Sequence, residues 1–240
     1  MPSFAPETIF QIGIFPITNT VLDTILVDII LIGLAFYIGN RLTLVPVSSL
    51  QNITETVVET FYNLTESVSE HAAAKIFPYF MTFFLYILFI NWSALIPGVG
   101  SIGFFHGHEL VPLIRGATSD LNTTLGLALV SAVATHTLSI RTVGIKDYLG
   151  RYFSLNPVNL FVGILELVSE ITKIISLSFR LFGNVYAGEV VLITISSIFA
   201  FIFPLPFLML ELIIGIVQAL VFSMLTMAFM SILTTSHKAH

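Results

Sequence analysis

From Val158 to Phe203 the chain runs without a proline and is apolar almost throughout, yet it carries Glu166, Glu170, Lys173, Arg180 and Glu189. As a single helix this stretch would extend about 69 Å, against a bilayer hydrocarbon core of about 30 Å. Two arrangements accommodate that length. One is a strongly tilted and bent helix; the other is two upright spans joined near Gly183-Asn184 or Gly188-Glu189. The second makes Arg180 and Glu189 interfacial and carries the C-terminal tail to the outer side. The first holds Arg180 at bilayer depth, where a cation costs about 3 kcal/mol or more and marks a functional position.

Helical spacing favours the single helix. Glu166, Ser169, Lys173, Ser176, Arg180 and Asn184 follow one another at steps of three or four and share a face, while Leu167, Ile171, Ile174, Phe182 and Val185 lie opposite. A polar stripe on an oily helix suits the wall of an aqueous path or the approach of another protein's acidic group. Glu189 stands half a turn round from Arg180 and looks toward a different neighbour. For Glu166, Glu170 and Lys173 the spacing equally allows local pairing near the inner interface.

Only 10% of the 240 residues are charged and 56% are hydrophobic, whereas a soluble domain averages about 25% charged. With several apolar runs longer than the roughly 18 residues of a spanning helix, the chain reads as an all-α polytopic membrane protein. About five membrane-embedded helices are expected, two of them long, tilted and C-terminal, together with one amphipathic surface helix. They form a single membrane-embedded domain over residues 1–240, with spans at about 20–39, 77–96, 121–140, 157–200 and 207–233 and the surface helix at about 48–75. No regular alternation suggests a barrel. The absence of cysteine excludes disulfides and thiolate metal sites. The net charge of −5 gives no reason to expect a nucleic-acid partner. The first forty residues lack Lys and Arg, so insertion is expected to use an uncleaved first helix.

Pro2, Pro6 and Pro16 predict an irregular lead-in, and Asp23 is expected near the headgroups. In the surface helix Leu50, Ile53, Val57, Phe61, Leu64 and Val68 recur at helical spacing, with Glu55, Glu59, Glu66 and Glu70 mostly opposite. Lipid-surface helices favour basic polar faces, so this acidic one is expected to rest partly on protein. Asn91 and Trp92 read as interface anchors, and Thr118-Ser119-Asp120 as the cap of the next span. His106, His108 and Glu109 could suggest a metal site, but loop decoration is the better reading; His136 reads as a packing residue. Arg141 to Asn156 reads as a polar connector. On the last helix Glu211 and Gln218 share a face, with Gly215 between them permitting close approach. Glu189 and Glu211 are natural partners for sharing a proton in a water-filled half-cavity, because burial and mutual repulsion both favour a protonated carboxyl. With five crossings, Arg41, Lys75, Arg141, Lys146, Arg151 and Lys238 fall on one side and only Arg115 on the other. The N-terminus is then outside and the C-terminus inside.

The segment Ser176-Leu177-Ser178-Phe179-Arg180-Leu181-Phe182-Gly183-Asn184-Val185-Tyr186-Ala187-Gly188-Glu189 resembles the signature of subunit a of F-type ATP synthases. Glu166 fourteen residues before the arginine, Asp120-Leu121-Asn122-Thr123-Thr124 and the Glu211 to Gln218 spacing match as well, so the resemblance covers nearly the whole chain. It implies a proton-translocating stator subunit in which Arg180 is the essential charge facing the carboxylates of a rotating c-subunit ring. It also implies an outer half-channel lined by Asn184, Glu189, Glu211, Gln218 and Asp120, and an inner one by Glu166, Ser169, Lys173 and Ser176. The Glu211 position is histidine in some members of that family. The implied partners are the c-ring, b-type peripheral-stalk subunits, the remaining ATP synthase subunits and membrane lipid. A bacterial plasma membrane is the expected location, with an organelle inner membrane as the alternative. No G-x-x-x-x-G-K-[ST] motif occurs, so no nucleotide site, and on its own no enzymatic activity, is expected; no cofactor or metal is expected either. The competing function is an independent ion-coupled secondary transporter. Such folds usually show two related halves, which this sequence lacks. A mere membrane anchor would leave the polar stripe without a reason.

Overall fold

Among the described residues there are seven α-helices and two small hairpins: α1 (Asn19–Gly39), α2 (Ser49–Val68), α3 (Ala73–Ser93), α4 (Leu121–Val143), α5 (Ile145–Tyr152), α6 (Pro157–Ile198) and α7 (Pro204–Thr234). The computed structural model describes residues 7–12, 15–43, 48–96, 102–106, 109–152, 157–198 and 203–235. Helices α1, α3, α4 and α7 are each long and apolar enough to cross a bilayer, and the chain is an all-α, multi-pass membrane protein. Helix α6 is continuous over 42 residues, about 63 Å at the usual rise. It shows no interruption at Gly183-Asn184 or Gly188-Glu189.

Several local expectations change. The lead-in contains regular structure: β1 (Thr8–Ile12) and β2 (Phe15–Thr18) form an antiparallel hairpin with a register shift between Thr8 and Phe10. A second hairpin pairs β3 (Gly103–His106) with β4 (Glu109–Pro112). Ribbons this short carry too few residues for a period-2 pattern to stand out. Helix α2 stops at Val68, and Ala73 to Ile76 belong to the first turn of α3, with Pro78 inside that helix. Proline lacks an N–H, so α3 forgoes one hydrogen bond there. The polar connector contains α5, an eight-residue helix.

The chain forms two compact units. The first comprises Met1–Asn40, Phe84–Thr124 and Phe179–Leu220. Its apolar centre includes Val27 of α1, Ile90 of α3 and Ala117 of a 3-10 turn, Ala117–Ser119. Polar contacts tie these parts together. Asp23 lies fully buried in the protein; it accepts from Ser93 Oγ and from the Ala117 amide, both at 3.0 Å. Thr118 donates to Asn91 Oδ1 at 2.9 Å, and Asn91 donates to the Gly215 carbonyl at 3.4 Å. The Trp92 indole donates to the Leu212 carbonyl at 3.3 Å. Asn91 and Trp92 therefore serve as helix–helix ties here, since a buried polar group needs a partner.

The second unit comprises Arg41–Phe83, Leu125–Ser178 and Val221–His240. Ile76 and Phe80 of α3, Leu138 of α4, and Met227 and Met230 of α7 form its core, with Phe61 and Leu64 of α2 packed against it. The acidic surface helix thus rests on its own chain through its second half, while Leu50 and Ile53 stay exposed. Ser48 caps α2 by accepting from the Gln51 amide at 3.2 Å. Ser131 bonds Thr226 at 2.9 Å, and Ser139 donates to the Leu233 carbonyl at 2.6 Å, fixing α4 to α7.

Candidate functional site

Two sets of polar residues on α6 are set apart by their surroundings. In the first unit Leu181 and Val185 point into the protein, while Arg180 and Asn184, each one residue earlier, are exposed. Residues four apart stack on a helix, so this offset yields an inward apolar row beside an outward polar one. Further along, Glu189 is held by Arg115, whose Nε stands 3.3 Å from Oε1 and whose terminal nitrogen donates to Oε2 at 3.4 Å. Glu211 of α7 is buried, and its carboxylate lies directly against the backbone of Gly188: a Cβ at residue 188 would fall on it. Glu189 and Glu211 are close enough to feel each other's charge. Gln218 is half-buried on α7. Asp120 caps α4, its Oδ1 accepting from the amide and the side chain of Asn122 at 2.9 and 3.1 Å. The structure therefore brings together Glu189, Glu211 and Arg115, and leaves Asp120 with local bonds of the capping kind expected from the sequence.

In the second unit the charged residues of α6 are paired. Arg151 Nε lies 2.6 Å from Glu166 Oε1, and its terminal nitrogen donates to the Ile232 carbonyl at 3.2 Å. Lys173 donates to Glu170 at 2.9 Å, with its ammonium 4.4 Å from the centre of the Phe229 ring. Glu170 also lies 3.7 Å from Nε2 of His136, whose Nδ1 is 3.0 Å from the Tyr148 hydroxyl. Ser169 and Ser176 are exposed. A Cβ at Gly163 would strike the Tyr152 carbonyl, so only glycine lets the end of α5 lie this close to α6. Burial, and after it Tyr148, Glu170 and Glu166, pushes the Tyr152 phenol up.

Among the described residues, Arg180 is the one charged side chain of α6 without an ion-pair partner. The sequence reading missed Arg115 as a site residue, although it had a signal: it was the single cation against the inside-positive count. His136, read as packing, also carries polar contacts from α5 and α6. The suggested His106, His108 and Glu109 cluster lies outside the described side chains.

Residues 21–231 match the family model described as ATP synthase A chain. The chain belongs to the ATP synthase A chain family. It is 30% identical over 237 residues to ATP synthase subunit a of Moorella thermoacetica, covering 99% of this chain and 100% of that one. It is 31% identical over 228 residues to ATP synthase subunit a of Legionella pneumophila subsp. pneumophila, covering 95% and 91%. Family membership at this coverage extends across both units, so both the Arg180 region and the paired residues near α5 fall within the matched region.

Proposed function

We propose that this member of the ATP synthase A chain family is the proton-translocating stator subunit of the membrane sector. In this reading Arg180 faces the carboxylates of a rotating c-ring, and the chain assembles with b-type stalk subunits and the remaining ATP synthase subunits. The observation that carries the reading is Arg180 itself: exposed on an otherwise oily helix and, among the described residues, unmatched where every other charge on α6 is matched. A partner carboxylate supplied from outside the chain fits that unmet charge.

A proton entering from the outer side passes the Asn184, Glu189, Glu211, Gln218 and Asp120 region and neutralises a ring carboxylate, which can then face lipid. After rotation the carboxylate loses its proton toward the path near Glu166, Ser169, Lys173 and Ser176. The Arg180 cation stabilises the ionised carboxylate and repels a proton, so the two paths do not short-circuit. Each charge crossing the membrane potential yields about 2.3 kcal/mol per 100 mV. ATP chemistry then belongs to partner subunits. The charge asymmetry supports an outer N-terminus and inner C-terminus in a bacterial plasma membrane or an organelle inner membrane.

Arg180→Ala should abolish ATP-driven acidification of membrane vesicles containing the assembled complex. Normal coupled pumping by that variant would overturn the proposal.

A further inference from the structure

We infer that Arg115 is a positioning residue of the outer path: it engages both oxygens of Glu189 in an ion pair and so leaves Glu211 as the group that carries the proton. This rests on the proton-path reading above and assigns separate tasks to its two glutamates.

The inference starts from how firmly Arg115 is placed. The residues that follow it are tied at three points. A Cβ at Gly116 would come within 2.7 Å of Ala94 Cβ, the Ala117 amide donates to buried Asp23, and Thr118 donates to buried Asn91. A guanidinium rooted in such a segment cannot wander, and the Arg115 side chain is only 9% exposed. Both of its contacts with Glu189 use different carboxylate oxygens, so the pair resists rotation of that carboxylate. Among the described residues, the charged groups facing Glu189 are Arg115 from the loop before α4 and Glu211 from α7.

Glu211 has the opposite environment. It is buried, sits against the Gly188 backbone, and has no cation in ion-pair contact among the described residues. A carboxylate engaged by a guanidinium must give up that partner to take a proton, so the neighbour that lacks a cation is the one placed to accept it. The proton then binds Glu211, passes from its carboxyl to the partner carboxylate, and leaves Glu211 ionised for the next proton from the outer side.

The test is passive proton conduction through vesicles whose membrane sector is intact and whose ATPase sector has been stripped, read as a function of pH. Arg115→Gln should slow conduction about tenfold and move its alkaline limb up by about one pH unit, because the proton is then shared and held more tightly. Arg115→Lys should restore most of the rate, and Arg115→Gln combined with Glu189→Gln should conduct better than Arg115→Gln alone. An unchanged pH profile in assembled Arg115→Gln vesicles overturns the inference. Should that variant fail to assemble, Glu189→Gln and Glu211→Gln decide. Glu211→Gln is expected to lose conduction while Glu189→Gln retains a measurable share, and the reverse order sinks the assignment. These readouts concern passive conduction, so they stay informative even if Arg180→Ala overturns the coupling role.

Discussion

Glu211 has space for its carboxylate because residue 188 carries no side chain. What an alanine there would meet is the free end of a flexible side chain, not backbone, so the fold has an easy escape: the carboxylate swings away. Gly188→Ala is therefore expected to change unfolding temperature in detergent only slightly, by less than about 1 kcal/mol of stability, while ATP-driven pumping falls severalfold. Placing Glu211→Asp in the same variant shortens the displaced side chain and should recover part of the pumping; equal pumping by the parent and Gly188→Ala would contradict this. At this scale the sequence was partly legible. Arg180, Glu189 and Glu211 stand out because charge is costly among apolar neighbours. Their partners do not, since the contact of Arg115 with Glu189 joins residues 74 apart in the chain, and periodicity says nothing at that separation. The partners of Asp23 were hidden for the same reason: Ser93 and the Ala117 amide, distant in the chain, give it two donors in the protein interior.

Helices were legible where they were long. The runs that became α1, α4, α6 and α7 are set by apolar length and by caps, which are local properties. Helix α5 escaped notice because eight residues with Lys146, Asp147 and Arg151 look like any polar connector; what holds it is packing against α6 at Gly163 and the Arg151 pair with Glu166. That packing has a pH signature. The folded state favours the neutral Tyr152 phenol, so its contribution is fully present below the ordinary phenol value of about 10 and is lost as pH rises through the elevated folded value. In a series of unfolding temperatures from neutral to strongly alkaline pH, Tyr152→Phe should lose less stability above about pH 10 than the parent. Parallel curves for the two proteins would contradict the burial argument.

Over the whole molecule, the residues assigned to the outer path and Arg180 fall within the first unit, and those assigned to the inner path within the second. No sequence pattern announces that division, because each unit is assembled from three separate chain segments. The apolar surface left uncovered is large: along α6 alone Phe161, Val168, Ile171, Ile175 and Phe179 are exposed. Lipid covers much of such a surface, and a c-ring is the occupant proposed beside Arg180. Mild detergent extraction of a tagged chain should therefore co-purify a small, acid-bearing helical-hairpin subunit in several copies. Recovery of the chain alone from fully solubilised, still ATP-hydrolysing membranes would count against that assembly.

The tie between the Trp92 indole and the Leu212 carbonyl has a practical use. Trp92 is the only tryptophan in the sequence, and it touches α7 one residue after Glu211, with its ring edge also about van der Waals distance from where a Gly215 side chain would begin. The purified chain thus contains a native fluorophore at the turn that bears Glu211. A red shift in its emission would register loosening of that turn without any label being attached.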